Sequence, residues 1–237
     1  MAFTTTTQSG AAGKADAPNP ALVNALAPAY GPCPHFCTQG GRCKDAVWNP
    51  ARGHIPRGFL GATGALEEVR LVMVFAEPGH PYADMDFSGA TTPAALIAAT
   101  TAHSASRRSG ANEKGFAGDR FHRNVEWFIE QCFPGASSEE KARRVWQTEA
   151  RLCSVPEEIG KSDSNPCAET YLTRQFHLLS HATWVAFGSK AQRTMRRLRL
   201  PHVAAYALAP PGCNHIPARP SWEAAIAKVR AVHESGG

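Results

Sequence analysis

Residues 69–75 read VRLVMVF, an apolar run broken only by Arg70. A strand with one wet face alternates polar and apolar side chains. A near-continuous apolar run needs cover on both faces, which a parallel sheet flanked by helices provides. The run ends in Ala76-Glu77-Pro78-Gly79, so a Pro-Gly turn carries one carboxylate, Glu77, at the strand tip. A purely structural strand needs no acid there. Glu77 is either a solvated turn residue or a functional group, because ligands of parallel sheets bind beyond the carboxyl ends of strands.

The rest of the chain alternates in the same sense. Strand-like segments recur at VWQTEARL (145–152), TWVAF (183–187) and HVAAYAL (202–208). Between and after them lie helical patterns at FHRNVEWFIEQCF, PCAETYLTRQFHLLS, SKAQRTMRRLRL and SWEAAIAKVRAVHE, with a short one at 21–27. This order predicts a three-layer α/β/α sandwich around a central, mainly parallel four-stranded sheet. Residues 1–28 are expected to form a flexible arm and 29–237 one domain. Within that domain 80–115 is expected as an insertion or long loop, holding a short helix at PAALIAATTAH and an exposed SASRRSGANEKG stretch. No apolar run approaches the roughly 18 residues of a membrane span. The Thr- and Ala-rich start lacks the order of a secretory signal, so a cytoplasmic, monomeric protein is expected. The formal charge of +5 leans toward polyanionic partners.

Seven cysteines, an odd number without an export signal, fit a disulfide scaffold poorly. They split into an early group (Cys33, Cys37, Cys43) and a later pair (Cys153, Cys167), with Cys132 and Cys213 apart. Loops could bring four thiolates together, and four soft sulfur ligands suit zinc or an iron–sulfur cluster. The other reading is a set of unrelated buried thiols acting as small hydrophobes.

The order of these segments resembles the uracil-DNA glycosylase superfamily, in particular its iron–sulfur branches. Phe75-Ala76-Glu77-Pro78-Gly79 is similar to the family's strand-end motif, and Phe116-Ala117-Gly118-Asp119-Arg120 to its Phe-x-Gly helix start. Thr148-Glu149-Ala150-Arg151-Leu152-Cys153 resembles its Thr-Asn-x-x-x-Cys, and Cys167 its later helix-start cysteine. Phe187-Gly188-Ser189-Lys190-Ala191 and Ala209-Pro210-Pro211-Gly212-Cys213-Asn214 match its last two motifs. The resemblance covers roughly residues 30–233.

It implies a monofunctional enzyme that hydrolyses the N-glycosidic bond of uracil, or another deaminated base, flipped out of DNA, and so starts base-excision repair. Glu77 then faces the anomeric carbon as a carboxylate that stabilises positive charge and orients water. Ala76, Gly79, Phe116, Asp119 and Glu149 fall at substrate-binding positions: Phe116 stacks on the base, and Asp119 is an active-site acid or a helix cap. Glu149 stands where the family has its uracil-reading Asn. An ionised Glu only accepts hydrogen bonds. Either Glu149 is protonated, or it reads another base with an N–H at that edge, or backbone groups do the reading. Ala209 replaces a family His that stabilises the leaving base, with Asn214 or His215 as its substitute. The resemblance also implies a structural 4Fe-4S cluster on Cys33, Cys37, Cys153 and Cys167, with Cys43 able to replace either early ligand and zinc as the less favoured occupant. Two other readings remain at this level: a non-catalytic DNA- or nucleotide-binding relative, and a zinc-stapled hydrolase of a small substrate.

Overall fold

The run at 69–75 forms the strand Leu71–Phe75 (β2), with all five residues buried. The computed structural model describes residues 17–30, 33, 46–109, 119–153 and 165–234. β2 is bonded in parallel on one edge to Val145–Glu149 (β3) and on the other to Thr183–Phe187 (β4). Val203–Ala205 (β5) extends the sheet in parallel beyond β4, and Leu60–Gly61 (β1) closes the other edge antiparallel to β3. The order is β1-β3-β2-β4-β5.

The sheet therefore has five strands, not the four expected. β1 spans only two residues, too few to show a period-two pattern. The strands expected over 145–152 and 202–208 are shorter. Residues 150 and 151 nevertheless stay tied to β2, through Ala150 N to Phe75 O (2.8 Å) and Arg151 N to Ala76 O (3.0 Å).

Helices cover both faces, as the continuous apolar run demands. Val72 and Val74 point toward Leu22 and Leu26 of Pro20–Leu26 (α1), Leu96 and Ile97 of Pro93–Ser109 (α2), and Ala191 and Met195 of Gly188–Arg197 (α6). Leu71, Met73 and Phe75 point the opposite way, toward Val125, Phe128 and Ile129 of Arg120–Cys132 (α3) and Trp222 and Val229 of Ala218–Glu234 (α7). Ser138–Arg144 (α4) leads into β3, and a π-helical turn, Ala168–Leu172, runs into Thr173–Leu178 (α5). α4 has no buried residue and escapes the sequence pattern; a capping box between Ser137 and Glu140 holds it.

Two boundaries need correction. The arm expected over 1–28 includes α1, whose Leu22 and Leu26 are buried, and Asn19 bonds across to Ala62 O (2.8 Å) and Gly64 O (2.9 Å). The long loop expected over 80–115 contains α2, which runs through Ser109 and buries Leu96, Ile97, Thr100 and Thr101. The two threonines satisfy their hydroxyls on carbonyls one turn back, so their polarity hides a packed helix. Residues 110–115 lie outside the described residues.

If α1 belongs to the core, Leu26→Ala should lower unfolding free energy by about 2–5 kcal/mol, read from urea denaturation. An unchanged midpoint would place α1 outside it.

Candidate functional site

In the order β1-β3-β2-β4-β5 the chain moves outward from β2 to β3, then crosses to β4 on the far side. The carboxyl end of β2 is therefore a topological switch point, where crossovers diverge and leave a crevice. A cavity of about 950 Å³ opens there. Its lining comes from the ends of four strands: Ala76–His80 after β2, Glu149 of β3, Phe187–Lys190 after β4 and Tyr206–Gly212 after β5. Of the residues singled out in the sequence, Ala76, Glu77, Gly79, Asp119, Glu149 and His215 all line it.

Glu77 is not a solvated turn residue. Its side chain is 15% exposed, accepts a hydrogen bond from Lys190 Nζ at 2.9 Å and lies 3.9 Å from Arg151 Nε. Lys190 stands in the first turn of α6 and Arg151 just beyond β3, so cations from both neighbouring strands converge on the acid of the central one.

Glu149 behaves differently. It is 6% exposed, and its Oε2 is buried without a hydrogen-bond partner. Burial pushes its pKa well above the usual carboxylate range; Arg57 opposes the rise and Glu77 adds to it. Gly58 covers the carboxyl at φ +90°, and a Cβ there would stand 2.4 Å from Glu149 Cγ, so only glycine fits. Arg57, itself 8% exposed, bonds to the carbonyls of Gly53 (3.3 Å) and Gly79. A Cβ on Gly79 would meet no protein atom within 4 Å.

Asp119 caps α3, accepting from His122 N at 3.2 Å through Oδ1, while Oδ2 meets His122 Nδ1 (2.5 Å) and the Tyr82 hydroxyl (3.2 Å). Burial works against its ionisation, but the His122 amide and ring and the Tyr82 hydroxyl together bring its pKa below the ordinary value. It is both cap and pocket acid. Asn214 stands apart: its Oδ1 accepts from Arg120 Nη1 at 2.5 Å, and it does not line the cavity, whereas its neighbour His215 does. Phe116 lies outside the described residues. Phe75, Phe121 and Phe187 supply an aromatic wall, with Phe75 and Phe187 stacked at 5.4 Å and Phe75 edge-on to Phe121 at 5.1 Å.

The thiols gather elsewhere. Cys33, Cys153 and Cys167 are buried. Cys33 Sγ is 3.3 Å from the Tyr171 hydroxyl, Cys167 acts electrostatically on both Tyr30 and Tyr171, and Cys153 acts on Tyr30. Cys167 Sγ also accepts from Leu152 N at 3.3 Å. Among the described residues no three His, Cys, Asp or Glu side chains sit close enough to hold a metal ion; Cys37 and Cys43 fall outside those residues. Cys132 packs on α3, where burial raises its pKa to about 12.

Sequence reasoning missed Lys190, Arg151, Arg57 and Gly58. Lys190 and Arg151 lay inside quoted motifs, and their position next to strand ends was the available signal. Arg57 and Gly58 sit in an irregular stretch that carries none.

Because burial raises the Glu149 pKa in the folded chain above its unfolded value, the folded state binds more protons between the two values. Stability therefore falls as pH rises through the interval between the two values. Glu149→Gln removes this loss, so its melting temperature relative to wild type should climb as pH rises above the ordinary carboxylate range. A difference that stays flat would mean that Glu149 is ionised in the fold.

No protein-family model matches the chain, and no curated protein matches it.

Proposed function

We propose that this chain hydrolyses the N-glycosidic bond of uracil, or another deaminated base, turned out of DNA, with a fold of the uracil-DNA glycosylase type. The observation that carries the reading is Glu77, a carboxylate fixed by Lys190 at the switch-point end of β2, on the wall of a cavity large enough for a nucleobase. Bases cannot be attacked within the stack, so such an enzyme needs a pocket with a flat apolar wall and polar groups at its floor. Phe75, Phe121 and Phe187 provide the first, Glu149 and Arg57 the second.

The chemistry follows from charge. As the bond from C1′ to the base nitrogen breaks, its electrons leave with the base and the sugar becomes cationic. The Glu77 carboxylate stabilises that cation and orients a water, whose oxygen bonds to C1′ and whose proton is released. His215, which lines the cavity as Asn214 does not, would donate to the departing base.

The surface around the mouth suits a duplex. Ile216 is 94% exposed next to His215, an apolar side chain able to fill the gap left by an extruded base. Cys33, Cys153 and Cys167, completed by Cys37 or Cys43, would hold a 4Fe-4S cluster. Cys167 has a backbone N–H donor, which suits cluster sulfur, but Cys33, Cys153 and Cys167 do not lie close enough together to hold a metal ion as they stand. Such a cluster would pin loops rather than take part in hydrolysis.

Labelled duplexes carrying one uracil, hypoxanthine or xanthine, treated with alkali after incubation, test the activity. Wild type should leave abasic sites, and Glu77→Ala should cut the rate by roughly 10²–10⁴. DNA binding without any abasic site would favour a non-catalytic binding protein. For the cofactor, the purified chain should be brown, with iron and acid-labile sulfide that Cys167→Ser depletes. A colourless protein containing zinc would point instead to the stapled hydrolase.

A further inference from the structure

Holding Glu77 takes a cation. It does not take a primary amine, and Lys190 brings one into the cavity. Lys190 stands in the first turn of α6, just past Gly188 at the end of β4, and lines the same cavity as Glu77. Its Nζ donates to Glu77 Oε1 at 2.9 Å, and its side chain is 29% exposed. The other cation on Glu77 is Arg151, whose Nε lies 3.9 Å from Oε2 and whose side chain is only 7% exposed. Arg151 is therefore the fixed partner and Lys190 the one open to the cavity. When Lys190 turns away, the acid keeps a buried counter-charge.

We propose that Lys190 captures the aldehyde of the abasic site as a covalent imine, so that the chain retains the product it makes. The inference rests on the glycosylase reading and goes beyond hydrolysis. Once water has added to C1′, the sugar is a hemiacetal that opens to an aldehyde at that same carbon. With a contact of about 3–3.5 Å, an atom touching Glu77 sits within about 6 Å of Lys190 Nζ. The lysine side chain covers that gap by rotation about its own bonds. Lysine amines form Schiff bases with carbonyl substrates when a neighbouring base takes their proton. Glu77 is that base, since its Oε1 already accepts the Lys190 hydrogen bond. The ammonium passes one proton to the carboxylate, and the neutral nitrogen bonds to C1′ while a second proton moves to the former carbonyl oxygen. The C1′–O bond then breaks, the oxygen leaving as water with the proton that Glu77 held. What remains is a protonated imine with the Glu77 carboxylate as its counter-ion. No bond to phosphate breaks, so the strand stays whole.

A labelled duplex with one preformed abasic site, incubated with the full chain and sodium cyanoborohydride, tests capture without requiring base removal. The reductant adds hydride to the imine carbon and makes the link permanent. Wild type should give a cross-linked band on a denaturing gel, and mass spectrometry of its digest should place the sugar on Lys190. Lys190→Arg keeps a cation beside Glu77 but has no amine able to form an imine, and should lower cross-linking at least about tenfold. Lys228→Arg, which changes an exposed lysine of α7, should leave it unchanged. Thermal melting checks that both variants fold; if Lys190→Arg does not, the residue mapped in wild type decides alone. A cross-link mapped to another lysine, or one that survives Lys190→Arg at the wild-type level, overturns the proposal. So does a wild type that makes abasic sites from uracil DNA yet gives no cross-link. Cross-linking at Lys190 without base removal from any duplex would remove the hydrolytic reading and leave the amine's role standing. Neither reaction in wild type would remove both.

Discussion

β2 is hydrogen-bonded on both edges and covered on both faces, and where it ends decides where everything else can act. Its five buried residues leave no freedom of register: a slip of one position would exchange Val72 and Val74 with Leu71, Met73 and Phe75 between two differently shaped cores. The strand therefore delivers Ala76 and Glu77 to one fixed point. Parallel pairing brings the ends of β3 and β4 to the same level, with Phe75 opposite Glu149 and Val74 opposite Ala186. A cavity with acids and cations from three strands is the outcome of that alignment.

The charges inside the cavity are sorted rather than scattered. Glu77 faces Lys190 and Arg151 and has the partners an anion needs. Glu149, close enough to feel Glu77, lacks them and sits under the backbone of Gly58. Two carboxyl groups in one pocket thus have unlike surroundings: Glu77 has cationic partners, whereas burial pushes the Glu149 pKa up. Arg57 stands between the two demands, pulling on Glu149 by charge while its own hydrogen bonds go to main-chain carbonyls.

Much of this was legible in the sequence, for definite reasons. The central strands are apolar throughout because they are buried on both faces, and the positions of Glu77 and Glu149 follow from counting along them. α3 shows its apolar stripe through Val125, Phe128, Ile129 and Cys132. What stayed hidden depends on partners far apart in the chain. Nothing near Lys190 announces a contact with Glu77, 113 residues away. α2 was expected only over PAALIAATTAH, and its last turns, to Ser109, read as loop because that stretch is small and polar. α1 looked like arm because its seven residues bury only two. Asn214 and His215 were indistinguishable as neighbours in a Pro-rich loop, and only Arg120 separates them.

The buried thiols and the cavity are separate places, yet one residue joins them. The Leu152 amide donates to Cys167 Sγ at 3.3 Å, and the Leu152 carbonyl accepts from Arg57 N at 2.9 Å. Tyr30 adds a second tether, its hydroxyl donating to Pro56 O at 2.6 Å, immediately before Arg57. The two peptide groups on either side of Leu152 thus tie the Cys167 sulfur to the main chain that carries the pocket's buried cation. The buried thiol and the segment that carries Arg57 are therefore fixed to one another through one residue, Leu152.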